Sequence, residues 1–288
     1  MSSPIAASAE TNGVLLRYWT WGGTGPPLVL LHGLASTHRI WDLVAPLLAK
    51  DHTVITVDQR GHGESAKPDG GYDFATVAAD INGLLQVLNI ESPILVGHSW
   101  GGNVALEHAA TYPGVAAGLC LVDGGTIEIS SYFPSLEAAK REMAPPDFSG
   151  MTLESLRARA QNMDFGFEKT PQVRQAMEAN FEELANGQIQ ARLSRTNHMA
   201  VIEAVWNHKP SELYHRVRCP VLLMPARGRG SHSKERQERA ERSLAVAGDT
   251  LPVSNTVWLE DSVHDVPLQR PDLVAGVIKK HFISGFFG

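Results

Sequence analysis

The chain has 288 residues, of which 43% are hydrophobic and 19% charged, and its 25 Lys and Arg against 31 Asp and Glu leave a formal charge of -6 at pH 7. A large packed domain is therefore available, and a disordered, collagen-like, coiled-coil or small disulfide-stapled chain is excluded. The net negative charge offers no global attraction to a phosphate backbone or an anionic lipid surface, so neither nucleic acid nor a membrane is expected as a partner. The two cysteines, Cys120 and Cys219, stand beside apolar runs, where buried free thiols are expected. The first residues, MSSPIAASAET, lack the basic and apolar regions of a signal peptide, and no apolar run approaches membrane-spanning length. A cytoplasmic protein is expected.

In chain order, GVLLRYWTW (13–21) is expected as antiparallel edge structure, and short Val, Leu and Ile runs follow at 27–33, 52–58, 92–98, 118–124, 219–225 and 255–260. Runs of that length without polar alternation read as strands buried on both faces of a parallel sheet. Helical periodicity fills the gaps at Ile40–Ala49, Phe74–Leu88, Trp100–Thr111, Lys234–Ala247 and Pro271–Phe282. Strand and helix alternate, which predicts a doubly wound, mostly parallel α/β fold. Between Gly124 and Pro210 the alternation stops and polar, helix-forming segments take over. Residues 1–124 and 210–288 are thus expected as the core and 125–209 as a helical cap inserted over the carboxyl edge of the sheet, where open α/β sheets bind ligands.

Gly97-His98-Ser99-Trp100-Gly101 sits between a strand and a helix and has the spacing G-x-S-x-G. Flanking glycines permit the strained turn that lifts a serine hydroxyl out of the sheet edge, and the following helix aims N–H groups at the same spot. A serine hydroxyl is a poor nucleophile at neutral pH, so Ser99 needs a base and donors for an oxyanion. Of the twelve histidines, His264 is the candidate base, because it lies in a short polar loop between the last strand and the last helix. His62, His98, His198, His208 and His215 read as loop, support or cap residues. His32-Gly33-Leu34 directly follows a strand, so the backbone N–H of Leu34 pairs with that of Trp100 as the candidate oxyanion hole. His32, Met199 and Trp206 are candidate substrate contacts.

These segments, HGL at 32–34, VDQRGHGES at 57–65, GHSWGG at 97–102, LVDGG at 121–125, CPVLLM at 219–224 and SVHDVPLQRP at 262–271, resemble the α/β-hydrolase fold superfamily over nearly the whole chain. The resemblance implies the chain order nucleophile, acid, histidine. It also argues against dehalogenase or epoxide hydrolase chemistry, which in this fold uses an aspartate where Ser99 stands. Members of the superfamily commonly carry the acid just after the strand equivalent to PVLLM, but residues 225–230 read PARGRG and contain no carboxylate. Some relatives carry it one strand earlier, where Asp123 stands, and Asp123 is taken as the acid. Glu260 and Asp261 are too close to His264 in sequence to be favoured, Asp265 reads as a loop residue, and a carboxylate of the cap stays open.

The basic residues Arg227, Arg229, Lys234, Arg236, Arg239 and Arg242 interleave with Glu235, Glu238 and Glu241 at helical spacing and read as a solvated helix face. No phosphate-binding loop, dinucleotide fingerprint or metal-ligand spacing occurs, so no cofactor and no metal are expected. The expected function is hydrolysis of a small or medium carboxylic ester by a serine hydrolase through an acyl-enzyme, with a small molecule as partner. Cleavage of a carbon-carbon bond, lactone or amide by the same residues is the enzymatic alternative, and a ligand receptor on the same fold is the alternative of another class. The oligomeric state is not legible in the sequence.

Overall fold

A computed structural model describes residues 3–228 and 234–288, with the side chains of 234–236 excepted. The chain opens with β1 (Ile5–Thr11) and β2 (Val14–Trp21), an antiparallel hairpin closed by Asn12 and Gly13, both at positive φ (46° and 76°). Two such residues in succession make the hairpin turn whose twist matches its strands. β1 is absent from the sequence expectations, because IAASAET is mostly Ala, Ser and Glu between its terminal Ile5 and Thr11 and carries no clear alternation.

The sheet continues with β3 (Leu28–Leu31), β4 (Val54–Asp58), β5 (Ile94–His98) and β6 (Gly118–Val122), each buried at every position. Between β3 and β4 the expected helix Ile40–Ala49 is divided into a 3₁₀ turn, His38–Trp41, and the short helix α1 (Ala45–Leu48). Pro46 explains the break, since a proline is accommodated in a first helical turn but not within a continuing helix. Helix α2 (Phe74–Val87), capped by the Asp73 carboxylate on Thr76 N–H, and α3 (Trp100–Thr111) match their expected ranges.

After β6 the chain leaves the sheet for the inserted segment, which contains α4 (Leu136–Glu142), α5 (Leu153–Asn162), α6 (Pro171–Glu178) and α7 (Arg195–Asn207). Serine or threonine caps all four at the N-terminus: Ser135, Thr152, Thr170 and Ser194. The segment is not wholly helical. A small hairpin, β7 (Phe181–Glu183) and β8 (Ile189–Ala191), follows α6, turning at Asn186 and at Gly187 with φ 78°. Phe181 meets Phe148 edge-on at 4.7 Å, a tertiary contact invisible to local periodicity.

The short helix α8 (Pro210–Leu213) leads back to the sheet through β9 (Val221–Met224), β10 (Ala226–Arg227), α9 (Lys234–Thr250), β11 (Ser254–Thr256), β12 (Leu259–Glu260), α10 (Val266–Gln269) and α11 (Pro271–Ile283). The run expected as one strand at 255–260 is two strands. β11 pairs with β9 in the main sheet, whereas β12 pairs with β10 in a separate two-stranded ribbon. Pro225, which has no N–H to donate, marks the break on the facing strand.

The main sheet has eight strands in the order β1-β2-β4-β3-β5-β6-β9-β11, and β2 alone runs against the others. It divides two apolar clusters. Val29, Leu31 and Val57 face one that includes residues of α2, α3 and α9; Leu28, Leu30 and Val54 face another that includes residues of α1 and α11. Helices therefore cover both faces, and the loops at the carboxyl ends of β3, β5, β6 and β9 share one edge. No helix among the described residues is long and apolar enough to cross a membrane.

Candidate active site

Ser99 occupies that edge at the junction of β5 and α3, with φ 54° and ψ -122°, a conformation costly for a residue with a side chain. Its neighbours make the turn possible. A Cβ at Gly97 would stand 2.2 Å from the carbonyl oxygen of Gly101, and one at Gly101 would stand 2.4 Å from that of Leu31, so neither position tolerates a side chain.

Ser99 Oγ lies 2.9 Å from His264 Nε2, and His264 Nδ1 lies 2.6 Å from Asp123 Oδ2. The residues singled out on separate segments thus form one hydrogen-bonded chain. The second carboxylate oxygen of Asp123 accepts the Ala226 N–H at 2.9 Å, so the loop without a carboxylate after β9 contributes a backbone donor instead. Burial alone would raise the Asp123 carboxyl; the hydrogen bond from His264, its positive field and the Ala226 N–H outweigh burial and hold it below the usual carboxylate range.

Arg227, whose positive charge would oppose a nearby imidazolium, is turned elsewhere. Its guanidinium lies 3.7 Å over the Trp258 ring and pairs with Glu260 at 3.0 Å and Glu241 at 3.3 Å. Arg229 lies outside the described residues, as do the side chains of Lys234 and Arg236. Arg242 reaches Glu238 one helical turn away at 4.0 Å, as expected of a solvated face.

Two backbone N–H groups belong to segments next to Ser99, those of Leu34 and Trp100. A Cβ built on Gly33 would lie 3.1 Å from Ser99 Cβ and 3.5 Å from its Oγ, which brings the turn carrying Leu34 against the serine. Among the described residues neither Leu34 N–H nor Trp100 N–H has an acceptor. His32 and His62 hold this turn. His32 Nε2 accepts Gln59 N–H at 3.0 Å while Nδ1 donates to the Gly33 carbonyl at 2.8 Å; His62 Nε2 accepts Ala35 N–H at 3.1 Å while Nδ1 donates to the Arg60 carbonyl at 2.9 Å. His32 is therefore not the substrate contact expected of it, since it is fully buried with both ring nitrogens engaged.

His98, grouped above with loop, support or cap histidines, supports the loop that carries His264: its Nε2–H donates to the His264 carbonyl at 2.8 Å. Its place in the elbow motif was the only available signal. Gln269, at the end of α10, shapes the same loop by accepting Val263 N–H at 2.8 Å; it lies within the SVHDVPLQRP segment, but nothing in the sequence assigned it a role. Met199 and Trp206 are half-buried on α7.

Burial holds His32 at about 4, His62 at about 3, His98 at about 4 and His108 at about 4, each below the ordinary 6.5. The unfolded chain takes up a proton at each of these positions near pH 6.5, and the folded protein does so only near pH 3 to 4. Stability should fall as the pH is lowered through that window. Urea unfolding at pH 7 and pH 5 checks this, and equal unfolding free energies would contradict neutral buried imidazoles.

The family profile described as Alpha/beta hydrolase family matches residues 28–277. The chain belongs to the α/β-hydrolase family. It is 39% identical over 128 residues to the soluble epoxide hydrolase of Corynebacterium sp. (strain C12), covering 44% of this chain and 44% of that protein. It is also 39% identical over 101 residues to the 2-(acetamidomethylene)succinate hydrolase of Mesorhizobium japonicum, covering 35% and 36% respectively. The matched stretch spans from 32% to 44% of the length of these and other curated relatives, less than half in each case. A crystal structure of E-2-(acetamidomethylene)succinate hydrolase superposes with a TM-score of 0.82 at 22% identity, covering 98% of this chain and 100% of that one. An esterase from Rhodococcus sp. ECU1013 superposes with a TM-score of 0.69 at 25% identity, covering 99% and 100%. The α/β-hydrolase fold extends over nearly the whole chain, and the curated relatives named here are hydrolases.

Proposed function

We propose that this α/β-hydrolase cleaves a carboxylic ester of small or medium size through an acyl-enzyme on Ser99. The observation that carries the reading is the hydrogen-bonded chain Ser99–His264–Asp123, at 2.9 and 2.6 Å, beside two backbone N–H groups without acceptors. In this mechanism His264 Nε2 takes the serine proton as Oγ attacks the ester carbonyl. The N–H groups of Leu34 and Trp100 hold the oxyanion that develops. Asp123 keeps the proton of His264 on Nδ1, so that Nε2 is free to accept, and stabilises the imidazolium. His264 then protonates the leaving alcohol, and water repeats the sequence on the acyl-enzyme. The epoxide hydrolase among the relatives does not redirect this reading, because a serine stands at the elbow of this chain.

Residues 125–209 act in this reading as a cap that sets substrate size. A cavity of about 560 Å³ lies between α5 and α6, with Met163, Phe165 and Phe181 beside Arg159, Lys169 and Arg174 in its lining. It adjoins the loop of the base: the Gly166 carbonyl accepts Gln269 Nε2–H at 3.3 Å, and a Cβ at Gly166 would lie 2.7 Å from Val263. The free, buried cysteines Cys120 and Cys219 fit a reducing compartment such as the cytoplasm.

Purified protein assayed on p-nitrophenyl esters of graded chain length, with a fluorophosphonate label reporting the serine, tests the proposal. Turnover together with labelling at Ser99 is expected, and absence of both would overturn it. Phe165→Ala, Met199→Ala and Trp206→Ala should each move the preferred acyl length more than they change kcat on the acetate ester. A chain-length profile unaltered by all three would reduce those side chains to packing.

A further inference from the structure

A second polar chain runs behind the acid. Asn103, on the first turns of α3, accepts the Gly125 N–H through Oδ1 at 3.1 Å. Gly125 lies two residues beyond Asp123, in a turn with little freedom: Asp123 has φ 45° and Gly125 has φ 79°. A Cβ at Gly124 would stand 2.1 Å from the Ser99 carbonyl oxygen. The acid turn is thus pressed onto the nucleophile elbow, and the Asn103 side chain makes the hydrogen bond to its far end.

Because Oδ1 faces an N–H, the amide group Nδ2 of Asn103 faces His208 Nδ1, 3.2 Å away, and that nitrogen has to accept. The ring proton of His208 then resides on Nε2, which donates to Glu107 Oε2 at 3.2 Å. The Phe74 ring stacks on the imidazole at 3.9 Å, and Asn103 and His208 are both buried. Their orientation is therefore determined, since a reversed amide would set donor against donor at Gly125. His208 is also the C-cap of α7, the last helix of the inserted segment. One hydrogen-bonded path joins the exit of that segment to the turn bearing Asp123.

We propose that Asn103 is a positioning residue for Asp123, held in register by His208, so that the exit of the inserted segment and the acid turn are set as one unit. The inference rests on the serine-hydrolase reading of Ser99, His264 and Asp123. A shift of about 1 Å in a group that orients the base costs on the order of a hundredfold in rate without a corresponding loss of binding.

The discriminating pair is His208→Asn and His208→Gln. Asparagine carries its oxygen near the place of Nδ1 and keeps the acceptor for Asn103, whereas glutamine carries its amide near the place of Nε2 and keeps the donor to Glu107. Under the proposal, His208→Gln slows fluorophosphonate labelling and kcat on p-nitrophenyl acetate by about tenfold to a hundredfold, with KM within about threefold. His208→Asn recovers most of that loss. Asn103→Ala, which leaves His208 and Glu107 in place, should reproduce the glutamine phenotype and serves as the second arm if His208→Gln melts at assay temperature. The reverse order, with asparagine slow and glutamine fast, would assign His208 to its contact with Glu107 alone and overturn the proposal. So would Asn103→Ala with wild-type kcat, or with a change confined to KM. Wild-type protein that neither labels nor turns over would instead overturn the serine-hydrolase reading itself, and this inference with it.

Discussion

Ser99→Ala should abolish ester turnover and fluorophosphonate labelling while leaving the melting temperature within a few degrees of wild type. The substitution removes one hydroxyl whose hydrogen-bond partner is His264 Nε2 at 2.9 Å, a half-exposed contact at the sheet edge and not part of either apolar cluster. The backbone strain at φ 54° is the same for alanine as for serine, so folding should be little affected. Under the proposed mechanism the chemistry loses its nucleophile entirely. What the two backbone donors and substrate binding still supply leaves at most roughly one part in a thousand of kcat. A purified variant that kept more than about a tenth of wild-type kcat would show that another group attacks the carbonyl.

Asp123→Asn should lower kcat by about a hundredfold to ten-thousandfold with a near-normal fold. The geometry indicates why an isosteric change is so damaging. One carboxylate oxygen accepts the Ala226 N–H at 2.9 Å, so the amide oxygen of the asparagine is drawn to that side and its NH₂ is turned toward His264 Nδ1. A donor there forces Nδ1 to accept, which puts the ring proton on Nε2 and removes the lone pair that should take the serine proton. The carboxylate that would have stabilised the imidazolium is lost at the same step. Single-turnover measurements with a p-nitrophenyl ester should find acylation slowed with little change in substrate affinity. A variant of near-wild-type rate would remove Asp123 from the mechanism and direct attention to Glu260 or Asp261.

Several elements were legible because a local signal and the tertiary outcome share a cause. The apolar runs that became β3, β5, β6 and β9 are buried on both faces, so they read as nearly continuous hydrophobic segments. The elbow was legible because its glycines exclude side chains at 2.2 and 2.4 Å, a steric demand that only one residue type meets. Ser99 and His264 follow from that turn and from a polar loop after the last strand.

Other features depended on contacts between distant segments. β1 is a strand because β2 lies beside it, and α6 ends in the β7–β8 hairpin where Phe181 finds Phe148. His32 is adjacent in sequence to the Gly33–Leu34 turn, yet its two nitrogens are taken by backbone groups that reach it only after β3 and β4 have paired. The acid shows the division most clearly. Sequence could offer Asp123 only alongside other carboxylates, because hydrogen-bond reach of His264 is a relation between the end of β6 and a loop 141 positions away along the chain. By itself, then, the amino-acid sequence determined the buried strands β3, β5, β6 and β9, the helices α2 and α3 and the serine elbow, all of which answer to local sterics and to burial along a single segment. Which carboxylate meets the histidine, which histidines merely support, and how the inserted segment is tied to the acid turn were decided by the tertiary structure, because each depends on distances that exist only once separate strands have been brought to one edge.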